Sequence, residues 1–354
     1  MANKIDDNSM PRVSVIIPMR NEKKHIEKCL ESLLLNDYPK DRMEILAIDG
    51  MSVDGTREII ENYARKYPFV KLVDNERKTT PCAFNLGVSA SEGDFIIIMG
   101  AHAVYEKDYI SKCVQYSGQY GADNVGGVRV ALPARETAFA KAVVQAISHP
   151  FGAGDAAYIT GASSPRWVDT VFGGCYKREV FEKIGLFNEN LTRSQDMEFN
   201  LRLRKAGGKI LLAPDIVCYY YPRAEIGLWS FWKRNLLNGF WATYPLKFGS
   251  PLFRLRHLIP LGFVVLLAGL GALSFFLPLA LWTLPGVVGL YALVSVAASA
   301  TIAVRERNPA YMVFMPLVFG LLHFGYGLGS LWGLIRALIS REFWHRLLSG
   351  KGGK

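Results

Sequence analysis

Three sets of side chains in this sequence could do chemistry, and each sits at the edge of a short patterned run. Glu22, Asp49 and Asp54 follow the apolar runs Val13–Ile17 and Met43–Ile48. Carboxylates at strand ends suit ribose hydroxyls and base N–H donors; Asp54 equally suits a turn or a helix cap. His102 comes just after Phe95–Met99, behind Gly100 and Ala101. An imidazole there can meet a metal or a phosphate, or close a turn, and this stretch alone leaves both readings open. Asp196 and Glu198 follow Ser194 and Gln195 at the head of a helical pattern, Arg193–Leu203. Ser194 can cap there, and the helix dipole favours acids in the first turn.

The elements that must position these groups are legible from periodicity. Phe95-Ile96-Ile97-Ile98 has no polar interruption and reads as a central parallel strand buried on both faces. Val13–Ile17 is a strand ending at Pro18, and Ile26, Cys29, Leu30, Leu33 and Leu34 fall at helical spacing. Met43–Asp49 and Val70–Val73 read as further strands, with a helix Arg57–Lys66 between them and a second from Pro81 to Ala90. A helix over Lys107–Tyr120 and a strand over Val125–Ala131 continue the alternation. The pattern predicts an α/β fold with a doubly wound, mostly parallel sheet, whose carboxyl edge is where ligands bind.

Composition divides the 354 residues. Nearly all charge lies before His257, while Leu258–Val304 and Asn308–Ile335 carry no Asp, Glu, Lys or Arg. At about 20 apolar residues per span, the tail predicts three membrane helices, near 258–276, 285–304 and 310–335. The expected organisation is an α/β domain over 1–225, an interfacial segment over 226–256, membrane helices over 257–340 and a basic tail over 341–354. In the interfacial segment Trp229 and Trp232 alternate with Lys233 and Arg234, the composition of an amphipathic helix at head-group depth. Three spans would place the basic tail outside, against the positive-inside tendency. Met1–Asn8 is polar and Val13–Ile17 too short for a signal sequence, so the front domain is expected in the cytosol. Five scattered cysteines without a CxxC pair argue against disulfides and structural zinc. The net charge of +10 comes with no basic run and no nucleic-acid motif, which excludes a nucleic-acid partner.

Neither G-x-G-x-x-G after the first strand nor G-x-x-x-x-G-K-[ST] is present. Other motifs are. Val-Ser-Val-Ile-Ile-Pro-Met-Arg-Asn-Glu at 13–22 resembles the opening of the inverting family 2 glycosyltransferases of the GT-A fold. Asp49-Gly50-x-Ser52-x-Asp54-Gly55-Thr56 resembles their second nucleotide-binding segment. Thr80–Gly87 and Gly100–Tyr105 are similar to the succinoglycan-type glucosyltransferase branch, and Gly152-Ala153-Gly154, Phe172-Gly173-Gly174 and Ser194-Gln195-Asp196 extend the likeness over most of residues 11–245.

That resemblance implies a site. Pro18, Arg20 and Glu22 would line a nucleotide pocket, Asp49 would pair with the base (uracil as a rule), and Lys78 would reach the diphosphate, with Gly100 and Ala101 beside it. Asn85 would fix a turn. Gly173 and Gly174 would leave room for the donor sugar, Gln195 would stand where the family has Glu, and Asp196 would be the catalytic base. His102 would be the ligand to a divalent cation, Mn²⁺ or Mg²⁺, where the branch reads Asp-Ala-His; here Gly100 replaces the first acid, removing a charge that holds the ion. Residues 151–165, rich in Gly, Ala and Ser, would form a mobile loop over the acceptor. The function implied is transfer of a sugar from a nucleotide-sugar donor, UDP-linked, to a lipid-linked saccharide or glycan acceptor. The enzyme would sit in the plasma membrane, multi-pass, with its catalytic domain cytosolic, and serve polysaccharide or glycolipid synthesis. The alternatives are transfer directly onto polyprenyl phosphate, and a lapsed, donor-binding scaffold.

Overall fold

The computed structural model describes residues 10–133, 135–222, 227–250 and 254–348. The polar start Met1–Asn8, Arg223, and Lys351 and Lys354 of the basic tail lie outside the described residues. The described chain forms two compact units: residues 1–131 with 157–221, and residues 132–156 with 222–354. The break expected at 225 falls at 221/222, and a second excursion, 132–156, groups with the apolar tail.

In the first unit the order is β1 (Val13–Met19), α1 (Ile26–Leu34), β2 (Met43–Asp49), α2 (Thr56–Lys66), β3 (Val70–Asp74), α3 (Thr80–Ala90), β4 (Phe95–Ile98), β5 (Ala103–Tyr105), α4 (Tyr109–Tyr120) and β6 (Asn124–Ala131). The chain leaves for α5 (Ala138–Ser148) and α6 (Pro150–Ala153). It returns for α7 (Ala157–Thr160), β7 (Arg166–Trp167), β8 (Phe172–Lys177), α8 (Arg178–Ile184), α9 (Gln195–Lys205) and β9 (Ile210–Tyr220). One nine-stranded sheet runs β3-β2-β1-β4-β8-β6-β9-β5, with β7 against β9. Its first half is parallel, β3-β2-β1-β4. β8 then enters antiparallel to both β4 and β6, so beyond β4 the sheet is mixed.

The alternation that makes β1 a strand also builds two cores. Val13, Val15, Ile17 and Met19 face α1, α2 and α4 through Ile26, Leu30, Ile60 and Ile110. Ile16 faces the other way, with Phe84 of α3, Phe181 of α8 and Phe199 of α9. Burial on both sides is why β4 reads as an unbroken apolar run and why β1 and β2 are apolar but for Ser14 and Glu44, which bond each other, and the closing Asp49.

The second unit contains α5, α6, α10 (Gly227–Thr243), α11 (Leu255–Leu273), α12 (Pro278–Arg305), α13 (Tyr311–Leu338) and α14 (Arg341–Leu348). α11, α12 and α13 are long and apolar enough to cross a membrane. Ala142, Val143 and Ala146 of α5 pack with Phe231 of α10, Ile302 of α12 and Met315, Val318 and Phe319 of α13. Polar contacts pin the excursion: Asp155 pairs with Arg256 at 3.1 Å, and His323 Nε2 meets the Phe151 carbonyl at 2.8 Å while its Nδ1 meets Tyr291 Oη at 3.0 Å. The single loop expected over 151–165 is therefore two short helices in different units. The cause is physical: Pro150 starts a turn that His149 caps from Nδ1, and Phe151 has aromatic partners, Phe319 at 4.9 Å and His323 at 4.7 Å.

α10 carries one exposed edge, with Trp229 at 74% exposure and Lys233 exposed, and Trp232 and Arg234 half-buried. Its other face lies against α13 so closely that a Cβ on Gly329 would come 1.9 Å from the Leu236 carbonyl oxygen, and one on Gly333 2.3 Å from that of Phe240. Small residues let two helix backbones meet where no large hydrophobic gain separates protein from lipid. An interfacial helix was expected here; what the structure adds is this glycine seam.

Candidate active site

The carboxyl ends of β1 and β2 are tied together by short polar contacts. Asp49 closes β2 fully buried, accepting from the Ser52 amide at 3.1 Å and the Ser52 hydroxyl at 2.5 Å, with Arg57 3.5 Å away. Asn21 accepts from the Val53 amide at 3.0 Å and donates its own amide to Ser52 Oγ at 2.9 Å. Asp54 accepts from the Thr56 amide and hydroxyl and from the Lys23 amide, a turn just ahead of α2, whose N-cap is Gly55; that is the bland reading of the residue. Four of the five non-glycine residues with positive φ among the described residues, Asn21, Met51, Lys78 and Ser194, flank these strand ends and the head of α9. Such backbone costs of order 1–3 kcal/mol each and persists where surrounding contacts enforce it, commonly at functional sites.

Of the nucleotide-side residues, Pro18 is half-buried, Arg20 exposed and Glu22 buried. Arg20 lies over Gly50, where an added Cβ would come 3.3 Å from the Arg20 Cβ. Lys78 is exposed, its amide bonded to the Asn75 carbonyl at 3.0 Å. Asn85 exchanges bonds with Phe187 and donates to Glu189, so it fixes a turn, as expected.

Beyond β4 the chain turns through Gly100 and Ala101 into His102. Gly100 is held through its N–H by Tyr105 Oη at 2.7 Å. His102 Nδ1 is buried and stands 3.3 Å from Glu22 Oε1, without the alignment of a hydrogen bond. The fold therefore brings Glu22 and His102, eighty residues apart, to one point. A Cβ on Gly100 would meet only Phe172 Cζ and Tyr105 Oη, each at 3.9 Å, ordinary contact distance. The missing acid is thus a vacancy of sequence that sterics do not demand. Gly100→Asp should fold with unchanged melting temperature and raise the affinity for Mn²⁺ by about tenfold, since hard cations gain from each added carboxylate; calorimetric titration in the presence of a nucleoside diphosphate checks it.

Arg129 went unnoticed in the sequence. It projects from β6 among Tyr220, Phe172 and Tyr158, with its guanidinium 4.7, 5.5 and 5.7 Å from their ring centroids. Tyr220 in turn lies 5.0 Å from the His102 ring. An arginine inside an otherwise apolar strand, Val125-Gly-Gly-Val-Arg-Val130, was the available signal; its aromatic partners come from three remote segments, and nothing local announces them.

α9 holds Asp196. Phe199 is fully buried between Phe187 and Phe181, with centroids at 4.3 and 5.0 Å, and meets Tyr176 edge-on at 5.4 Å. Asn200 bonds Asn124, Tyr176 and Thr170. Ser194 does not cap with its side chain; it adopts φ of 59° and its carbonyl accepts from the Glu198 amide. Glu198 is spent on Arg202 at 2.8 Å, which anchors the helix to the Ile184 and Leu186 carbonyls. Of the two acids at the head of α9 Asp196 is the exposed one, and the protein around it desolvates its carboxyl and raises its pKa more than the Met197 amide and its own lower it. Gln195 Oε1 is buried without a partner, Gly174 packs on Asn124, and Gly173 at φ of 62° lies under Tyr109 Oη. The acid beside the His102 imidazole is Glu22; among the described residues Asp196 makes no ion pair with it. Removing the Phe199 ring should cost about 3–5 kcal/mol and slacken the seat of Asp196. A melting curve of Phe199→Ala beside its activity checks both.

All five cysteines are buried and free. Burial pushes the Cys29 and Cys218 thiols up to about 12, so they stay neutral.

Comparison with known proteins bears on the family and the fold. The profile of glycosyl transferase family 2 matches residues 14–161. A dolichyl N-acetyl-alpha-D-glucosaminyl phosphate 3-beta-D-2,3-diacetamido-2,3-dideoxy-beta-D-glucuronosyltransferase of Methanococcus voltae is 30% identical over 335 residues, 92% of this chain and 97% of that protein. The succinoglycan biosynthesis protein ExoA of Rhizobium meliloti is 30% identical over 297 residues, 83% of this chain and 87% of that protein. Among solved structures, the mannosyltransferase PcManGT of Pyrobaculum calidifontis, in complex with GDP-Man and Mn²⁺, superposes with a TM-score of 0.58 at 20% identity, covering 92% of this chain and 89% of that one. That likeness confirms the GT-A fold. By its length of match and its identity to these relatives, the chain is a glycosyltransferase and belongs to glycosyl transferase family 2.

Proposed function

We propose that the chain transfers a sugar from a nucleotide-sugar donor to a hydroxyl of a lipid-linked saccharide, with inversion, at the cytosolic face of the plasma membrane. One observation carries this reading: Asp196 is the exposed acid on a helix head whose other acid, Glu198, is engaged by Arg202, and the protein around its carboxyl raises its pKa. A base for a sugar hydroxyl needs those traits, because it must be reachable and must hold a proton readily. A relative whose name gives an already glycosylated dolichyl phosphate as acceptor supports a hydroxyl nucleophile over a bare lipid phosphate.

In this reading Asp49 and Arg20 frame the nucleobase side, with Pro18 as a wall and Lys78 extending toward the diphosphate. Glu22 and His102 fit a divalent cation as a pair of ligands that the diphosphate oxygens complete. Their fit rests on the buried Nδ1 that lacks a hydrogen bond and on the open space at Gly100. Among the described residues no cluster of three His, Cys, Asp or Glu exists, so the protein alone would hold such an ion weakly. When bound, the cation offsets charge on the leaving diphosphate. Asp196 accepts the acceptor's proton as its oxygen attacks the anomeric carbon. Trp229, Trp232, Lys233 and Arg234 serve the membrane surface where a lipid-linked acceptor is presented.

The test is transfer by the purified full chain in detergent, offered UDP- and GDP-sugars with a lipid-linked saccharide, with and without chelator. Sugar transfer that falls at least tenfold in chelator is expected, a loss of more than about 1.4 kcal/mol of transition-state binding. Nucleotide binding without any turnover would favour the scaffold instead.

A further inference from the structure

We infer that Arg129 is a phosphate-binding residue of the active site, a second cationic anchor beside the one at His102; the inference rests on the glycosyltransferase reading above. Arg129 is half-buried on β6, opposite Cys218 of β9. Three aromatic rings surround its guanidinium, Tyr220, Phe172 and Tyr158. Its Nε–H is buried and meets no acceptor, and among the described residues the group forms no hydrogen bond or ion pair.

A guanidinium carries five N–H donors lying in its plane. Ring faces attract it, yet they accept none of those in-plane hydrogens. A half-buried cation whose Nε–H is shut away without an acceptor carries a cost that Arg202, with a carboxylate and two carbonyls, does not. Such a cost is retained where a ligand supplies the missing acceptors. A phosphate would supply the in-plane acceptors that the rings cannot, taking an arginine fork with two parallel bonds.

Position points to the same ligand. Tyr220 separates Arg129 from His102, at 4.7 Å from the guanidinium carbon and 5.0 Å from the imidazole. Phe172, the second wall, is the neighbour that a side chain at position 100 would touch. Arg129 therefore stands one ring away from the cation position, within reach of a phosphate bound at the edge of the sheet. That phosphate comes from one of two sources, the donor's diphosphate or the lipid phosphate of the acceptor.

The test uses the full chain in detergent, with Arg129→Met, which keeps the apolar stem without charge, and Arg129→Lys, which keeps charge without the fork. Affinities are measured for UDP and GDP against uridine and guanosine, and for polyprenyl phosphate in vesicles against the free polyprenol. The inference predicts that Arg129→Met melts at the wild-type temperature or above it and loses about tenfold or more in affinity for one phosphate ligand. Binding of the dephosphorylated partner stays unchanged, and Arg129→Lys recovers only part. The ligand that loses affinity names the source. Phosphate affinities within about twofold of wild type in a folded Arg129→Met overturn the inference alone. A lower melting temperature with wild-type binding in Arg129→Lys does the same, marking a packing role. A wild-type chain that binds none of the phosphates overturns the glycosyltransferase reading along with it.

Discussion

Asp196→Asn should lower turnover at neutral pH by about 10³-fold, within the 10²–10⁴ that a positioned general base contributes, and should leave the protein as stable as before or more so. The two halves of this expectation have one cause. Packing around the exposed acid desolvates its carboxyl and raises its pKa in the folded state. A carboxyl raised on folding favours the protonated form, so its contribution to stability is complete below the unfolded pKa. That contribution is lost as pH rises through the folded one. At neutral pH the ionised side chain is therefore a burden, which the amide removes. Solvent exposure keeps the burden small, so the melting temperature moves little while activity collapses. In the wild type the same raised pKa places the acid limb of the pH–rate profile above the ordinary aspartate range. Turnover and melting measured side by side across pH check all three points. An Asp196→Asn enzyme that keeps most of its turnover would mean an acceptor that is already ionised.

Gly329→Leu should unfold the helical unit in detergent or lower its melting temperature by many degrees. The added Cβ alone would come 1.9 Å from the backbone carbonyl of Leu236, an atom that cannot swing aside. Overpacking costs about 1–3 kcal/mol where side chains can shift, and here α10 and α13 would have to part along their seam. Gly320 on the same helix has nothing within 4 Å of its would-be Cβ, so Gly320→Ala should be neutral. Equal melting of the two variants would refute the seam.

How much could be read in advance follows from where each signal lives. The strands β1, β2 and β4 were legible because burial on both faces writes short, dominantly apolar runs into the sequence, unbroken in β4. The three long helices were legible because charge is absent over whole spans. Asp54 was read through local turn chemistry and lies where that chemistry puts it, whereas Asn85, expected to fix a turn from the resemblance, does so through the remote Phe187 and Glu189. The antiparallel entry of β8 was not legible, since pairing partners separated by some eighty residues leave no local trace. Nor was the fate of residues 132–156: the apolar face of α5 marks a buried helix but does not say which unit buries it. At the site, strand ends singled out Asp49 and His102 and the family resemblance supplied the roles expected of them, whereas Ser194 misled, because a serine before acids reads as a side-chain cap until its backbone proves left-handed. Arg129 lay in plain view as a charge within a strand, but its meaning comes from rings that only folding assembles.

The central claim is a single displacement in which Asp196 deprotonates an acceptor hydroxyl as it attacks the anomeric carbon. Proton NMR of the product made by the purified chain from an α-linked nucleotide sugar tests it most directly, through the coupling at the new anomeric centre. A β-linked product is the result this account predicts; an α-linked one would require two displacements or a front-face path, and would contradict it.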